Sequence, residues 1–238
     1  MSLSPINFPE KKVFRFRNSP DDEKRLIRNF FDSKSSGFYV EVGANNPTVE
    51  SQTFHLEQLG WDGLLIEPLQ AYCELLKAQR KGKVIQLACS SPENHNIVLP
   101  MAVAGTHSTL NDEPIALGTK IEEYQNVTCR TLDSILEDND VPGIDFISID
   151  IEGHEMEMFK GFSLQRWSPR LVLLEDHVMS HAKHRFMTAN GYQLIMRTGL
   201  NSWYVPADKG FTLTWFAKLQ MFRKLWLGLA WRKLKYHR

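Results

Sequence analysis

Residues 146–162, FISIDIEGHEMEMFKGF, begin as an apolar run and then set down Asp150, Glu152, His154, Glu155 and Glu157 within eight positions. A second run, LVLLEDHV, ends in the same manner on Glu175, Asp176 and His177. Carboxylates and imidazoles at the mouth of a buried strand suit two kinds of chemistry. One is proton removal from a hydroxyl by a histidine or carboxylate, with Asp150, Glu152, His154, Glu175 and His177 as the candidate catalytic groups. The other is a metal site in which Asp150, Asp176 and His177 hold a hard divalent ion such as Mg²⁺, the histidine shifting preference toward Mn²⁺ or Zn²⁺. The metal-free reading is preferred. Glu155 and Glu157 fall in the first turn of the following helix, where negative charge suits the helix dipole, and read as structural.

These residues must be positioned by a sheet. Strand-like runs alternate with helix-like stretches from about residue 37 onward, and that rhythm implies a parallel sheet. GFYVEVGA, GLLIEP, KVIQLACS, IDFISID and RLVLLEDHV are the successive strands; LLI, VIQL, FISI and LVLL lack polar alternation, as strands covered on both faces do. TVESQTFHLEQLG is expected as a helix closed by Gly60, AYCELLKAQRKG and HEMEMFKGF as further crossover helices, and YQLIMRTG with NSWYVP as an antiparallel hairpin. NIVLPMAVAG reads as an added strand within an insertion over residues 90–118. Ligands of such sheets sit beyond the carboxyl ends of the strands. That rule selects residues 41–45, Glu67, Ala88 and Cys89, 150–154, and 175–177. Neighbouring strand ends lie about 5 Å apart, so Asp150 and the Glu175–His177 trio are expected to share one pocket.

Composition sets the class. The 238 residues are 42% hydrophobic and 24% charged, which fits a folded globular chain. Three cysteines with no CxxC pair argue against a disulfide framework or a cysteine zinc site and for a reducing cytosol. No apolar signal segment is evident near the start, so the Asn126-Val127-Thr128 sequon is expected to stay unused. His177, His181 and His184 share a helical face but lack the partners of a zinc motif, and read as surface or loop histidines. No internal repeat or low-complexity linker is present.

EVGANNP follows the first strand where a small residue lets backbone approach a ligand, and Glu67 lies 24 positions after Gly43, a spacing at which an acid accepts from ribose hydroxyls. Each residue alone reads equally well as a tight turn or a helix cap; together they favour a nucleoside. The second and third glycines of a dinucleotide fingerprint are missing, which places an NAD-linked oxidoreductase last. FYVEVGANNPTVESQTFHLEQLGWDGLLIEP, TLDSIL and IDFISIDIEGHEMEMFKGF, within about residues 37–205, resemble the FkbM-type S-adenosylmethionine-dependent methyltransferases. The resemblance implies a Rossmann-like α/β fold with a seven-stranded class I sheet, mostly parallel with a C-terminal antiparallel hairpin. It implies that Glu41, Gly43 and Asn45 line the pocket for the methionine part, that Ala44 and Ser51 also bind the cofactor, and that Glu67 holds the ribose. Ala88 and Cys89 would lie near adenine, with Asp150 facing the donor. The chain departs from the family pattern at Pro47, where many members carry glycine. GTHSTL matches a polar loop of the family, so Ser108 and Thr109 are expected to close over the cofactor or contact the acceptor, or else to form a simple turn.

The chain is thus expected to divide into an N-terminal segment (1–36), a methyltransferase domain (37–208) and a basic amphipathic C-terminal helix (209–238). The expected reaction is O-methylation of a glycan hydroxyl, lipid-linked if the tail binds membrane. A natural-product or polyketide hydroxyl is the alternative acceptor, and a non-catalytic membrane-associated nucleoside-binding module the alternative of another class. The formal charge of zero hides an asymmetry: residues 209–238 hold eight Lys/Arg and no acid, leaving 20 basic against 28 acidic residues in the first 208. LWLGLAW is far shorter than the ~20 residues of a span, so the tail is expected either to lie on an anionic membrane surface or to pack on protein. An acidic body without a recognised module argues against nucleic acid. The sequence leaves the oligomeric state open.

Overall fold

The computed structural model describes residues 20–111, 120–176, 181–211, 213 and 215–222. They fall into two compact units, residues 34–169 and, in the second unit, residues 20–33 with 170–222. Helix α1 (Pro20–Phe30) opens the described chain and belongs to the second unit. The seven strands of the main sheet are divided between the units, giving an α/β fold that is mostly parallel.

In the unit 34–169 the order along the chain is β1 (Phe38–Val42), α2 (Phe54–Glu57), β2 (Asp62–Ile66), α3 (Gln70–Gln79), β3 (Lys83–Ile85), β4 (Ala88–Cys89), β5 (Val98–Val103), β6 (Glu123–Arg130), α4 (Leu132–Asp138), β7 (Phe146–Ile149), α5 (Glu155–Lys160) and α6 (Leu164–Trp167). Its main-sheet strands run β3-β2-β1-β7, all parallel, with Val42 opposite both Ile66 and Ile149. Val40, Val42, Leu64, Leu65, Ile66, Phe146, Ile147 and Ile149 are each at most 1% exposed, so the unbroken apolar runs form the core. Burying each such side chain is worth about 1.5–3 kcal/mol before chain entropy is charged against it.

The remaining strands of this unit form a small sheet, β4-β6-β5, in which β5 and β6 are antiparallel. KVIQLACS is therefore two strands in two sheets, and β6 was not foreseen as a strand. A separate apolar cluster of Leu69, Ala88, Met101, Val127 and Cys129, flanked by Tyr72, Leu99, Val103 and Leu110, packs at this small sheet. The helix expected over TVESQTFHLEQLG contracts to four residues. Asn46 Oδ1 accepts the N–H groups of Thr48 and Val49, and residues 51–53 bond to Glu41, so side chains satisfy backbone groups that a longer helix would need. Gly60, at φ +102°, then turns the chain into β2.

In the second unit β8 (Leu171–Glu175) is followed by α7 (His181–Ala189), β9 (Tyr192–Thr198), β10 (Asn201–Pro206) and α8 (Trp215–Phe222). Here β10 pairs antiparallel with both β8 and β9, and the β9–β10 hairpin is as expected. Helix α1 is tied on by Glu23, which accepts from Asn201 Nδ2 at 2.8 Å and from the Thr198 hydroxyl. Phe30 also stacks on Phe211 at 5.7 Å between ring centroids. No described helix is long and apolar enough to cross a membrane. The three cysteines are free and buried.

Candidate active site

Backbone geometry builds the rim at the carboxyl ends of β1, β2 and β7. The N–H groups of Gly43 and Ala44 both donate to Ile66 O, Asp150 N–H donates to Val42 O, and Glu67 N–H donates to Ile85 O. Each chain thus leaves its strand hooked to the neighbouring strand end. Gly43 has φ +80°, and a Cβ there would lie 1.8 Å from the Asp150 carbonyl oxygen. Only glycine lets the β1 turn and the β7 turn meet. The next residue but one, Asn45, is also left-handed at φ +39°, and its side-chain Oδ1 is buried with no hydrogen-bond donor.

Glu67 lies beside that turn. Its Oε2 accepts Asn45 N–H at 3.0 Å and its Oε1 accepts Leu69 N–H at 2.9 Å. The residue is 4% exposed, and burial pushes its carboxyl up to about 7 although the two amides pull it down. Each oxygen has a second lone pair. Ala88 is part of the adjoining apolar cluster with Leu69 and Tyr72. Cys89 is 4% exposed in β4, and burial first, then Cys129, raises its thiol so that it stays protonated.

Glu41 and Ser51, expected at the cofactor, are engaged in hydrogen bonds within the protein. Glu41 is 5% exposed and accepts from Ser51 Oγ, Thr53 Oγ1 at 2.5 Å and Gln52 N–H at 2.9 Å. Arg80 stands beneath it, with Nη1 3.5 Å from Glu41 Oε2 and Nε 3.2 Å from Glu57 Oε2. Arg80 also donates to Pro47 O at 3.1 Å and Thr53 Oγ1 at 2.8 Å. A buried cation between two buried carboxylates therefore clamps the 47–53 loop to β1 and α2, and Pro47 supplies an acceptor in that clamp. Sequence reading missed Arg80, which gains its partners only across loops.

The IEGH turn after β7 is held by the insertion. Glu152 is left-handed at φ +49°, a conformation that a non-glycine residue adopts at some cost. Its carbonyl accepts from Thr109 Oγ1 at 2.9 Å and Asn111 Nδ2 at 3.5 Å. Ser108 closes its own turn, donating to Gly105 O at 2.8 Å and accepting Ala104 N–H at 3.0 Å. Ser108 and Thr109 are thus engaged as loop and turn supports. Glu152 Oε1 lies 2.9 Å from Nδ1 of His107, whose side chain is 46% exposed. With Nδ1 donating to the carboxylate, Nε2 presents a lone pair outward.

His154, by contrast, faces inward. It is 7% exposed, its Nε2 is 2.9 Å from Ser90 Oγ and its Nδ1 3.4 Å from Asn111 Oδ1. Asn94 donates to the same Ser90 oxygen at 3.0 Å, which fits a Ser90 hydroxyl donating to Nε2 and an Nδ1–H donating to Asn111. Burial lowers the imidazole pKa and favours this neutral form. Asp150 is exposed at the end of β7. Glu155 is buried and its Oε1 accepts Gly153 N–H at 3.1 Å, whereas Glu157 pairs with Lys160 at the surface.

In the second unit Glu175 is 7% exposed at the end of β8, and Lys183 Nζ donates to its carbonyl at 3.1 Å. Asp176 has a cationic partner within the protein. It is 3% exposed, its Oδ2 lies 3.6 Å from Arg197 Nη1, and its carbonyl accepts from Arg197 Nη2 at 2.7 Å. That carboxylate is therefore already paired with a guanidinium. His177 lies outside the described residues. His184 Nδ1 is 3.1 Å from the Tyr204 hydroxyl, a structural contact rather than a zinc ligation. A cleft of about 370 Å³ at the amino ends of β1 and β2 is lined by Phe38, Asp62 and Asp145, at the opposite end from this rim.

The profile of the family described as "Methyltransferase FkbM domain" matches residues 41–194. The chain belongs to that family. It is 30% identical over 80 residues to the hexuronic acid methyltransferase AglP of Haloferax volcanii, a match over 33% of the chain and 28% of that relative. The chain thus aligns with little more than a quarter of the relative's length. Among solved structures it is similar to a protein of Pyrococcus horikoshii described as a candidate RNA methyltransferase, with 9% identity, a TM-score of 0.44 and coverage of 86% of this chain and 93% of that one. It is also similar to the precorrin-6y C5,15-methyltransferase of Geobacter metallireducens, with 10% identity, a TM-score of 0.42 and coverage of 82% and 89% respectively.

The rim has groups of the kind a nucleoside methyl donor would use: Asn45 Oδ1 is a buried acceptor without a donor, Glu67 has remaining lone pairs, and Leu69 and Ala88 belong to the adjoining apolar cluster.

Proposed function

We propose that the protein is an S-adenosylmethionine-dependent O-methyltransferase acting on a sugar hydroxyl. The single observation that carries the reading is the joined turn of Gly43 and Asp150 beside Glu67, within a chain of this family. A sugar acceptor is supported by the name of the Haloferax relative, a hexuronic acid methyltransferase.

The donor supplies an electrophilic methyl group on a positively charged sulfur. The protein's own residues then have three tasks. Gly43, Asn45 and Glu67 orient the donor, which matters because in-line displacement depends on placing the acceptor oxygen behind the methyl carbon. The exposed Asp150 carboxylate, at the meeting point of the two turns, holds the acceptor or the cationic end of the donor. The acceptor hydroxyl loses its proton to His107 Nε2, with Glu152 orienting the imidazole through Nδ1 and stabilising it once protonated. His154 is a positioning residue that locks the IEGH turn to Ser90 and Asn111, since both its ring nitrogens are engaged.

The test is a transfer assay with methyl-labelled donor over uronic acid glycans, neutral glycans and small natural-product alcohols. Methylation of a glycan with release of S-adenosylhomocysteine is the expected result, and transfer to small alcohols alone would replace the acceptor class. Calorimetry showing no uptake of S-adenosylhomocysteine by folded protein overturns the whole reading. His107→Ala should lower kcat by about 10²–10⁴ with donor affinity unchanged; an unaltered kcat removes His107 as the base.

A further inference from the structure

Helix α8 (Trp215–Phe222) lies beside β9 in the second unit and displays three large apolar side chains to solvent. Trp215 is 76% exposed, Leu219 44% and Phe222 54%. Their spacing of i, i+4 and i+7 puts them on one face of two helical turns. Isolated exposed hydrophobics need no explanation, but an aligned tryptophan, leucine and phenylalanine do. Lys218 is also exposed on this helix. The sequence around it contains Lys209, Arg223, Lys224, Arg232, Lys233, Lys235 and Arg238 and no acidic residue from 209 to 238.

We propose that the exposed face of α8 is a docking surface for an anionic lipid bilayer. Two properties select this occupant. The exposed apolar face has the composition of an interfacial helix, in which Trp, Leu and Phe enter the boundary between headgroups and acyl chains while basic side chains remain at headgroup level. The charge is also complementary: Lys218 is exposed on the helix and the sequence from 209 to 238 carries eight basic residues and no acid, a net charge drawn to a negative surface and repelled by a second copy of itself. LWLGLAW is too short to span, so the attachment is peripheral and reversible, weakened by salt and independent of methyl transfer.

Flotation of the full chain with vesicles tests this. Vesicles of phosphatidylcholine mixed with phosphatidylglycerol should carry the protein upward, and vesicles of phosphatidylcholine alone should carry far less. The combined replacement Trp215→Ser, Leu219→Ser and Phe222→Ser touches only exposed residues and should weaken binding by about tenfold or more while leaving the melting temperature unchanged. Lys218→Glu should weaken it by at least about fivefold, the factor for one basic residue beside such a surface. Three results overturn the proposal: no flotation with anionic vesicles, equal flotation of wild type and the triple variant, or flotation that ignores both lipid charge and salt. Concentration-dependent dimers abolished by the triple variant, or salt-sensitive nucleic-acid binding without vesicle binding, would assign the surface to another partner and overturn it as well.

Discussion

Replacing Glu67 by glutamine separates what this residue does for the fold from what it does for a ligand. Burial raises its carboxyl from 4.5 to about 7, against the pull of the Leu69 and Asn45 amides. A carboxyl raised on folding binds its proton more tightly in the native state, so its stabilising effect is fully present below about 4.5 and is lost as pH rises through 7. At about 1.4 kcal/mol per unit, wild-type stability should fall by about 2–3 kcal/mol between pH 5 and 8 through this group alone. Glutamine does not titrate. It keeps one acceptor oxygen but points an NH₂ at one of the two backbone donors, a penalty of about 1–3 kcal/mol at every pH. The diagnostic is therefore the change in the gap between wild type and Glu67→Gln, which should move by about 2–3 kcal/mol in favour of the variant as pH rises from 5 to 8. Urea unfolding without donor at a series of pH values measures it. A gap that stays constant across that window refutes the buried-acid argument. Calorimetry with S-adenosylhomocysteine reads the other half. A ribose diol favours the ionised carboxylate, so wild-type affinity should rise by about tenfold per pH unit below 7 and then level off, while the variant binds weakly with a flat profile. Equal pH profiles for the two proteins would detach Glu67 from the ligand.

Two further substitutions probe the supports of the rim. Arg80→Met leaves Glu41 and Glu57 buried without their cation and should cost about 3–5 kcal/mol in urea unfolding; Arg80→Lys should fail to rescue fully, because one ammonium cannot meet the separate acceptors at Glu41, Glu57, Pro47 and Thr53. A loss below about 1 kcal/mol for Arg80→Met would mean that the clamp is not needed. Gly43→Ala should retain the circular dichroism of the fold but lose S-adenosylhomocysteine binding by more than about tenfold, since its Cβ at φ +80° would collide with the Asp150 carbonyl; wild-type affinity in that variant contradicts the proposed donor site.

The sequence by itself determined the elements whose cause is local. Predominantly apolar runs became β1, β2, β7 and β8, each bounded by glycine, proline or acid, and YQLIMRTG with NSWYVP became a hairpin because a short turn leaves few alternatives. The family was legible because EVGANNP and IDIEGHE are contiguous turns whose residue types follow from tight geometry. The small sheet was only half legible, since β4 has two residues and pairs with β6 across a long insertion. Side-chain partnership was not legible at all. His107 meets Glu152 and Ser90 meets His154 across more than forty residues, Arg80 meets Glu41 across 39, and Asp176 meets Arg197 across 21. Those pairings decided that Glu41 and His154 brace the rim, that His107 is the open imidazole, and that Asp176 is already matched to a cation. Hydrophobic period and turn chemistry act over a few residues and are written in order along the chain. The neutralisation of a buried charge is decided only when closure of the sheet brings a distant partner within hydrogen-bond reach.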